Sequence, residues 1–320
     1  MTFKRGLQGR VEAKPLAAAL FLGVALLASC GNYSNEDLEF MNAVPARSDL
    51  TANMPRAMLT VNEAELSRDT HDVIRTFNGA LDFLKIADLI RTYPPTSRIP
   101  DGRIWGPVPD DKHPGWQWRF VMTRDPSVSG GFKYTFDEQP IGAGDPWYEL
   151  LNGSFVATGG ARRGTGTFKI QTDALWAVGF PFDYGTDGSL LRELAITYST
   201  ADYPISVVMH LELYPDAVGG NHDATSTPAI DYTYEALESG QGAMQFVGTD
   251  ATGKSFTVVS RWLPRGQGRA DATYVDPAKA VSLTWTECWN DSFMSVYDAK
   301  EWDPTKDSGD STLCPDISTL

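Results

Sequence analysis

The sequence predicts a mainly β fold: a curled or closed antiparallel up-and-down meander of about ten strands with an N-terminal helical segment. Three observations predict it. Apolar and polar residues alternate with period two over most of the chain beyond Pro114. Gly-containing turn pairs stand between those runs, where hairpins need positive φ. Ahead of them, from Thr60 onward, apolar residues recur instead at three- and four-residue steps. With 320 residues, 42% of them hydrophobic, the chain has the apolar content of a globular protein, which excludes wholesale disorder. Its net charge of −14 argues against nucleic acid as a partner, because phosphate binding needs a basic face.

In chain order, Lys4, Arg5, Arg10 and Lys14 precede an apolar run from Leu16 to Ala28, the arrangement of a secretory signal peptide. That run of 13 residues is well short of the ~20 that span a bilayer core. It closes on Leu27-Ala28-Ser29-Cys30. This tetrapeptide resembles the lipobox of bacterial lipoproteins. The resemblance implies that residues 1–29 are a removable lipoprotein signal peptide and that Cys30 is the lipid-attachment residue. Its sulfur would carry a diacylglycerol and its new amino group a fatty acyl chain such as palmitate, with no other cofactor. One acyl chain anchors only marginally, at ~0.8 kcal/mol per buried CH₂, whereas two or more hold stably. The membrane then becomes a partner through the anchor. In many Gram-negative lipoproteins an Asp after the Cys retains the protein in the inner membrane. Gly31 in that place implies a lipid-anchored position in the cell envelope, at the outer membrane. The alternative is an ordinary signal peptide in which Cys30 is one more small apolar residue.

Residues 30–58 read as a tether, polar from Asn32 to Glu39 and punctuated by Pro45 and Pro55. An equal reading is a short ordered element that packs Leu38, Phe40 and Met41 on the domain. Residues 59–320 read as a single β-rich domain with an N-terminal helix over 59–93. Thr60 and Glu63 have capping-box spacing, and Leu66, Thr70, Val73, Phe77, Ala80, Leu81, Leu84 and Ala87 make one apolar stripe. That stripe predicts a helix face packed on a sheet, and Gly79 a kink or division of the helix. Six prolines between Pro94 and Pro114 predict an extended loop or covering strap.

Strands are predicted at Trp116–Met122, Phe132–Phe136, Phe168–Ile170, Leu194–Tyr198, Ile205–Leu213, Ile230–Tyr234, Phe256–Val258, Ala270–Tyr274 and Val281–Trp285. Turns are predicted at Asp187-Gly188, Ser239-Gly240, Thr252-Gly253 and Arg265-Gly266-Gln267-Gly268. The closing segment Asp303–Asp316 is polar and does not read as a strand. Membrane-inserted barrels also alternate, but a soluble N-terminal helix and a lipid anchor would then be superfluous.

With Cys30 lipidated, Cys288 and Cys314 remain, and an exported compartment permits a disulfide between them. Two free thiols or a metal pair are the alternatives; neither a nearby His nor CxxC spacing supports metal, so no metal site is expected. The Thr286-Glu287-Cys288-Trp289 segment, with its later Cys and polar tail, is similar to segments of uncharacterised lipoproteins, which implies no activity. Ser206, His210 and Glu212 share one face of a strand by period-two spacing and form a weak polar-site candidate, more simply a hydrogen-bonded trio than a hydrolytic set. His71 beside Asp72 reads as a solvated helix face. His222 with Asp216 and Asp223 lacks EF-hand spacing. Gly159–Gly166 superficially resembles a dinucleotide loop but runs into a strand, so it reads as a basic turn with Arg162 and Arg163 open to weak anion contact.

No GxSxG, HExxH or P-loop motif is present, and no catalytic residue is assigned. The expected role is that of a lipid-anchored envelope protein binding an apolar ligand without catalysis, resembling the half-barrel envelope lipoprotein carriers, with the helix over 60–92 covering the open mouth. The alternatives are a structural or protein-interaction lipoprotein with a solid core and, last, an envelope hydrolase. Candidate partners are thus the membrane, an apolar ligand or an envelope protein.

Overall fold

A computed structural model describes residues 33–55, 63–111, 113–142, 144, 146–179, 191–213, 229–250, 252–317 and 320. The helices are α1 (Asn35–Asn42), α2 (Arg47–Leu50), α3 (Glu65–Ala80), α4 (Ile86–Thr92) and α5 (Thr172–Ala177), with a 3₁₀ stretch at Leu81–Lys85. Fifteen strands are described where the alternation predicts about ten. They are β1 (Ser97–Ile99), β2 (Gly102–Pro109), β3 (Trp116–Asp125), β4 (Gly131–Pro140), β5 (Tyr148–Ala157), β6 (Gly164–Ile170) and β7 (Leu191–Ser199). After them come β8 (Ile205–Leu213), β9 (Ala229–Ala236), β10 (Gly242–Thr249), β11 (Ser255–Trp262), β12 (Gly268–Asp276), β13 (Val281–Trp289), β14 (Ser295–Lys300) and β15 (Ser308–Gly309).

The chain gathers into two compact units where the sequence reads one β-rich domain. The first holds the segment through Leu50 and Gly79–Asp202; the second holds Thr51–Asn78 and Tyr203–Leu320. Gly79, the predicted break, is where the chain passes from the second unit to the first, and the α-helical ladder tightens to 3₁₀ two residues later.

In the first unit, β1 to β7 pair in chain order, each antiparallel to the next. The strap is therefore a hairpin and not a loop. Between Trp105 and Val108 the β2–β3 register shifts, so Gly106 and Pro107 lie in a bulge where no ladder N–H is required. The described part of the tether, residues 33–55, holds two helices. Ser34 and Asp37 close a capping box on α1, with Ser34 Oγ accepting from the Asp37 N–H at 3.0 Å and Asp37 Oδ2 accepting from the Ser34 N–H at 2.9 Å. Phe40 and Met41 are buried as the ordered-element reading expects, while Leu38 is exposed. Phe40 meets Phe132 edge-on at 5.3 Å, and Phe83 of the 3₁₀ stretch meets Phe168 at 4.4 Å. The helical segments thus cover one face of this sheet with Phe40, Val44, Leu50, Leu81, Leu84 and Ile90.

In the second unit, β8 to β15 also pair in chain order and antiparallel. α3 buries Leu66, Thr70, Ile74 and Phe77, and Phe77 lies 6.1 Å from Tyr232 and 6.0 Å from Tyr234. The predicted stripe runs through Ile74 where the sequence suggests Val73, because the turns of α3 step by four, four and three residues from Leu66. Its start is held by tertiary contacts: Glu287 Oε2 accepts from the Leu66 N–H at 2.6 Å. The Thr70 hydroxyl donates to the Leu66 carbonyl, so Ser260 donates to Thr70 across 2.6 Å. Thr60, the other half of the expected capping box, lies outside the described residues, as does the Asp187-Gly188 turn. Gly240, Gly253 and Gly266 take positive φ between consecutive strands, as their turn pairs predict.

Glycines and aromatics interlock on the buried faces of both units. Gly153 of β5 stands in register between Tyr134 and Phe168, and Gly166 of β6 between Phe155 and Tyr198. A Cβ on either would collide with the Tyr134 or Tyr198 ring. Trp262 of β11 lies between Gly242 and Gly268, and Trp289 of β13 opposite Gly268. Both indoles are fully buried with their N–H groups bound, Trp262 to the Asn53 carbonyl at 3.2 Å and Trp289 to the Gly266 carbonyl at 2.7 Å. Each glycine thus vacates the volume that a neighbouring ring fills.

Candidate functional site

The Cys288 and Cys314 sulfurs lie at disulfide distance, with Cα atoms 5.4 Å apart. Cys288 sits on β13, and Cys314 lies in the tail that follows β14, so the pair holds the tail over one face of β12–β14. Register aligns Arg269 with Cys288 and Tyr297, and Asp271 with Thr286 and Ala299, on that face. The tail is further fixed by the Pro315 carbonyl, which accepts from Arg269 Nη1 at 3.1 Å, and by Asp307, which accepts from the Lys300 N–H at 2.9 Å.

Between tail and sheet lies an open groove of about 420 Å³ lined by Arg269, Thr284, Thr286, Tyr297 and Glu301 among others. Its polar groups orient one another. Arg269 binds Asp271 through Nε at 3.0 Å and Nη2 at 2.9 Å, the Thr286 hydroxyl donates to Asp271 at 2.6 Å, and the Thr284 hydroxyl donates to Glu301 at 2.9 Å. Mixed charge, a partly exposed tyrosine ring and preset hydrogen-bonding groups suit a polar occupant. On the other face of β13, Trp285 donates to Asp298 at 2.6 Å and takes the Lys300 ammonium 4.4 Å from its ring centre.

Of the polar trio read from sequence, two members meet. His210 lies 3.5 Å from Glu212 through Nε2 and 2.6 Å from Asp231 of β9 through Nδ1. Burial by itself would lower the His210 pKa; the hydrogen bond and charge of Asp231, then those of Glu212, outweigh it and hold the imidazole above its ordinary value. Ser206 is four residues along the same strand, roughly 14 Å from His210 at about 3.4 Å per residue, so no hydrolytic triad forms there. Register places it opposite Glu235. Asp231, the strongest partner of His210, carries no sequence signal, since strand pairing alone brings it across.

A second titratable cluster, in the first unit, was not visible in the sequence. Glu138 on β4 is buried beside His113, whose Nδ1 is 3.3 Å from Glu138 Oε2 and whose ring stacks on Trp116 at 4.8 Å. Burial first, then the hydrogen bond and charge of Asp110, push Glu138 up to about 8. Burial also lowers His113, with Asp110 partly opposing it. Both shifts favour the uncharged forms of Glu138 and His113.

Other candidates resolve into structure. His71 is not on a solvated face: its ring packs 5.4 Å from Phe293 and its Nε2–H donates to the Pro55 carbonyl at 2.9 Å. Arg162 binds Asp49 at 2.7 Å and Arg163 donates to the Thr200 carbonyl at 3.1 Å, so the basic turn spends its cations within the protein. Cys30, Asp216, His222 and Asp223 lie outside the described residues. Among the described residues no His/Cys/Asp/Glu group is arranged to hold a metal ion, and no helix is long and apolar enough to cross a membrane. No family model, curated protein or solved structure matches this chain.

Proposed function

We propose that this chain is a lipid-anchored envelope protein that works by non-enzymatic recognition of a polar partner surface, with its buried sheet faces filled by its own side chains. The observation that carries the reading is the seating of Tyr134, Tyr198, Trp262 and Trp289 against glycines of adjacent strands, which occupies space an apolar ligand would need. The tail-held groove, polar and open, supplies a surface for the partner. Curling of each meander around its filled face is part of this reading, because right-handed twist accumulates over consecutive strands. The anchor rests on the Leu27-Ala28-Ser29-Cys30 lipobox and its preceding basic and apolar segments.

Native mass spectrometry of the full chain released from the envelope tests it. The expected species is a protein beginning at Cys30 with covalent acyl mass and no further lipid. A stoichiometric apolar ligand retained in the spectrum would reinstate the carrier reading. Cys30→Ser should yield an unprocessed or soluble product; processed membrane-bound Cys30→Ser protein would overturn the anchor. For the groove, a photocrosslinker at Thr284 should give one discrete envelope adduct that disappears with Thr286→Arg, and a smear unaffected by that change would count against recognition there.

A further inference from the structure

We propose that the face of the first unit formed by α1, β1 and the β3–β4 turn rests on the phospholipid surface into which Cys30 is anchored, an inference that builds on the lipid-anchor reading above. The chain length between anchor and fold carries it. Ser34, the α1 cap, follows Cys30 by only four residues, which span at most about 14 Å even fully extended. A unit whose first helix begins that close to an inserted acyl group is held against the leaflet.

The chemistry of the face fits that occupant. Leu38 on α1 is 44% exposed, Ile99 at the end of β1 40%, and Val128 in the β3–β4 turn 40%. These three belong together because α1 is tied to both strand ends. Arg98, next to Ile99, donates to Asp37 at 2.9 Å, and Arg124, at the β3–β4 turn, donates to Glu39 at 2.6 Å. The acids of α1 are matched: Glu36 with Arg103 at 2.5 Å, Asp37 with Arg98 and Arg103, Glu39 with Arg124. In a chain of net charge −14 this face therefore meets an anionic leaflet without unpaired carboxylates on its helix. Arg98 and Arg124, both partly exposed, stay paired with Asp37 and Glu39 at the polar edge of this face while Leu38 and Ile99 enter the interface.

The test places nitroxide labels on the full, lipid-bearing chain at Leu38→Cys, Ile99→Cys and Val128→Cys. Ile141→Cys, just past the opposite end of β4 and 51% exposed, is the control. On reconstitution into vesicles of phosphatidylethanolamine and phosphatidylglycerol, the first three labels should gain oxygen accessibility and lose collisions with a water-soluble nickel complex, while the fourth stays unchanged. Backbone hydrogen exchange on the unsubstituted protein should slow over α1 and β1 in the same vesicles. If all labels keep their aqueous signature while the protein stays vesicle-bound with acyl mass on residue 30, docking is refuted and the anchor stands. If that mass is missing, both fall.

Discussion

Glu138 shows how much one buried carboxyl can set a pH response. Its folded pKa of about 8 lies above that of an unfolded glutamate, so between roughly pH 4.5 and 8 the folded state holds a proton that the unfolded state has lost. Stability from this residue is therefore greatest at the acid end of that window and declines as pH rises through it. Glu138→Gln keeps a neutral hydrogen-bonding group beside His113 and removes the decline. We expect the variant to be more stable than the parent at pH 8 by on the order of 1–3 kcal/mol and equal to it near pH 4.5, as read by urea midpoints across pH. A parallel pair of curves would show that Glu138 is ionised in the fold. Asp37 has the opposite sense. Burial would raise it, but hydrogen bonds from Arg98, the Ser34 N–H and Arg103 hold it far below the usual carboxylate range, so its contribution is present at neutral pH and lost only in strong acid.

At the scale of elements, the glycine–aromatic interlock makes strand pairing and core filling the same event. Gly166→Ala places a methyl group against the Tyr198 ring and the Ser154 carbonyl, both fixed by neighbouring strands. We expect a loss of about 1–3 kcal/mol, the usual cost of overpacking, with circular dichroism retained. A neutral substitution would mean that β6 and β7 can separate freely. The start of α3 depends on an acid far away in sequence, and Glu287→Ala leaves the Leu66 N–H buried without an acceptor. That variant should lose roughly 1–3 kcal/mol and exchange its first-turn amides faster, whereas Glu287→Gln should lose less. Which strands were legible follows from the same packing. The nine runs with clear alternation all form strands. The β5 run Asn152-Gly153-Ser154 interrupts the pattern because Gly153 lends its inward volume to Tyr134, and β2 was hidden by prolines that a bulge accommodates.

For the whole molecule, the tail and its cysteine pair decide whether the groove exists. Cys288 and Cys314 close a loop with a sequence separation of 26, for which chain entropy predicts about 3 kcal/mol of stabilisation. Cys314→Ser should lower stability by about that amount under oxidising conditions and release the tail to protease ahead of the sheets. Equal stability and an equally resistant tail would show that hydrogen bonds such as Arg269 to Pro315 suffice. Of the candidate site, the cysteine pair was readable from the two cysteines that remain beside Cys30 in a chain expected to be exported, and His210–Glu212 from period-two spacing. Asp231 and Thr286 were not, because strand register alone brings each to its partner, and neither were Asp110 and Glu138, which meet His113 through the segment between β2 and β3.

The sequence by itself determined what depends on neighbours along the chain: period-two strands, turn glycines, a helical stripe before them, and the order of basic residues, apolar run and Cys30. Only the tertiary structure decided the division at Gly79, the ordering of residues 35–50, the bulged hairpin inside the proline strap, and which acids face which histidines. The physical reason is range. Backbone geometry and side-chain alternation are set within a few residues, whereas burial, charge pairing and the space left by a glycine are set by residues tens to hundreds of positions away.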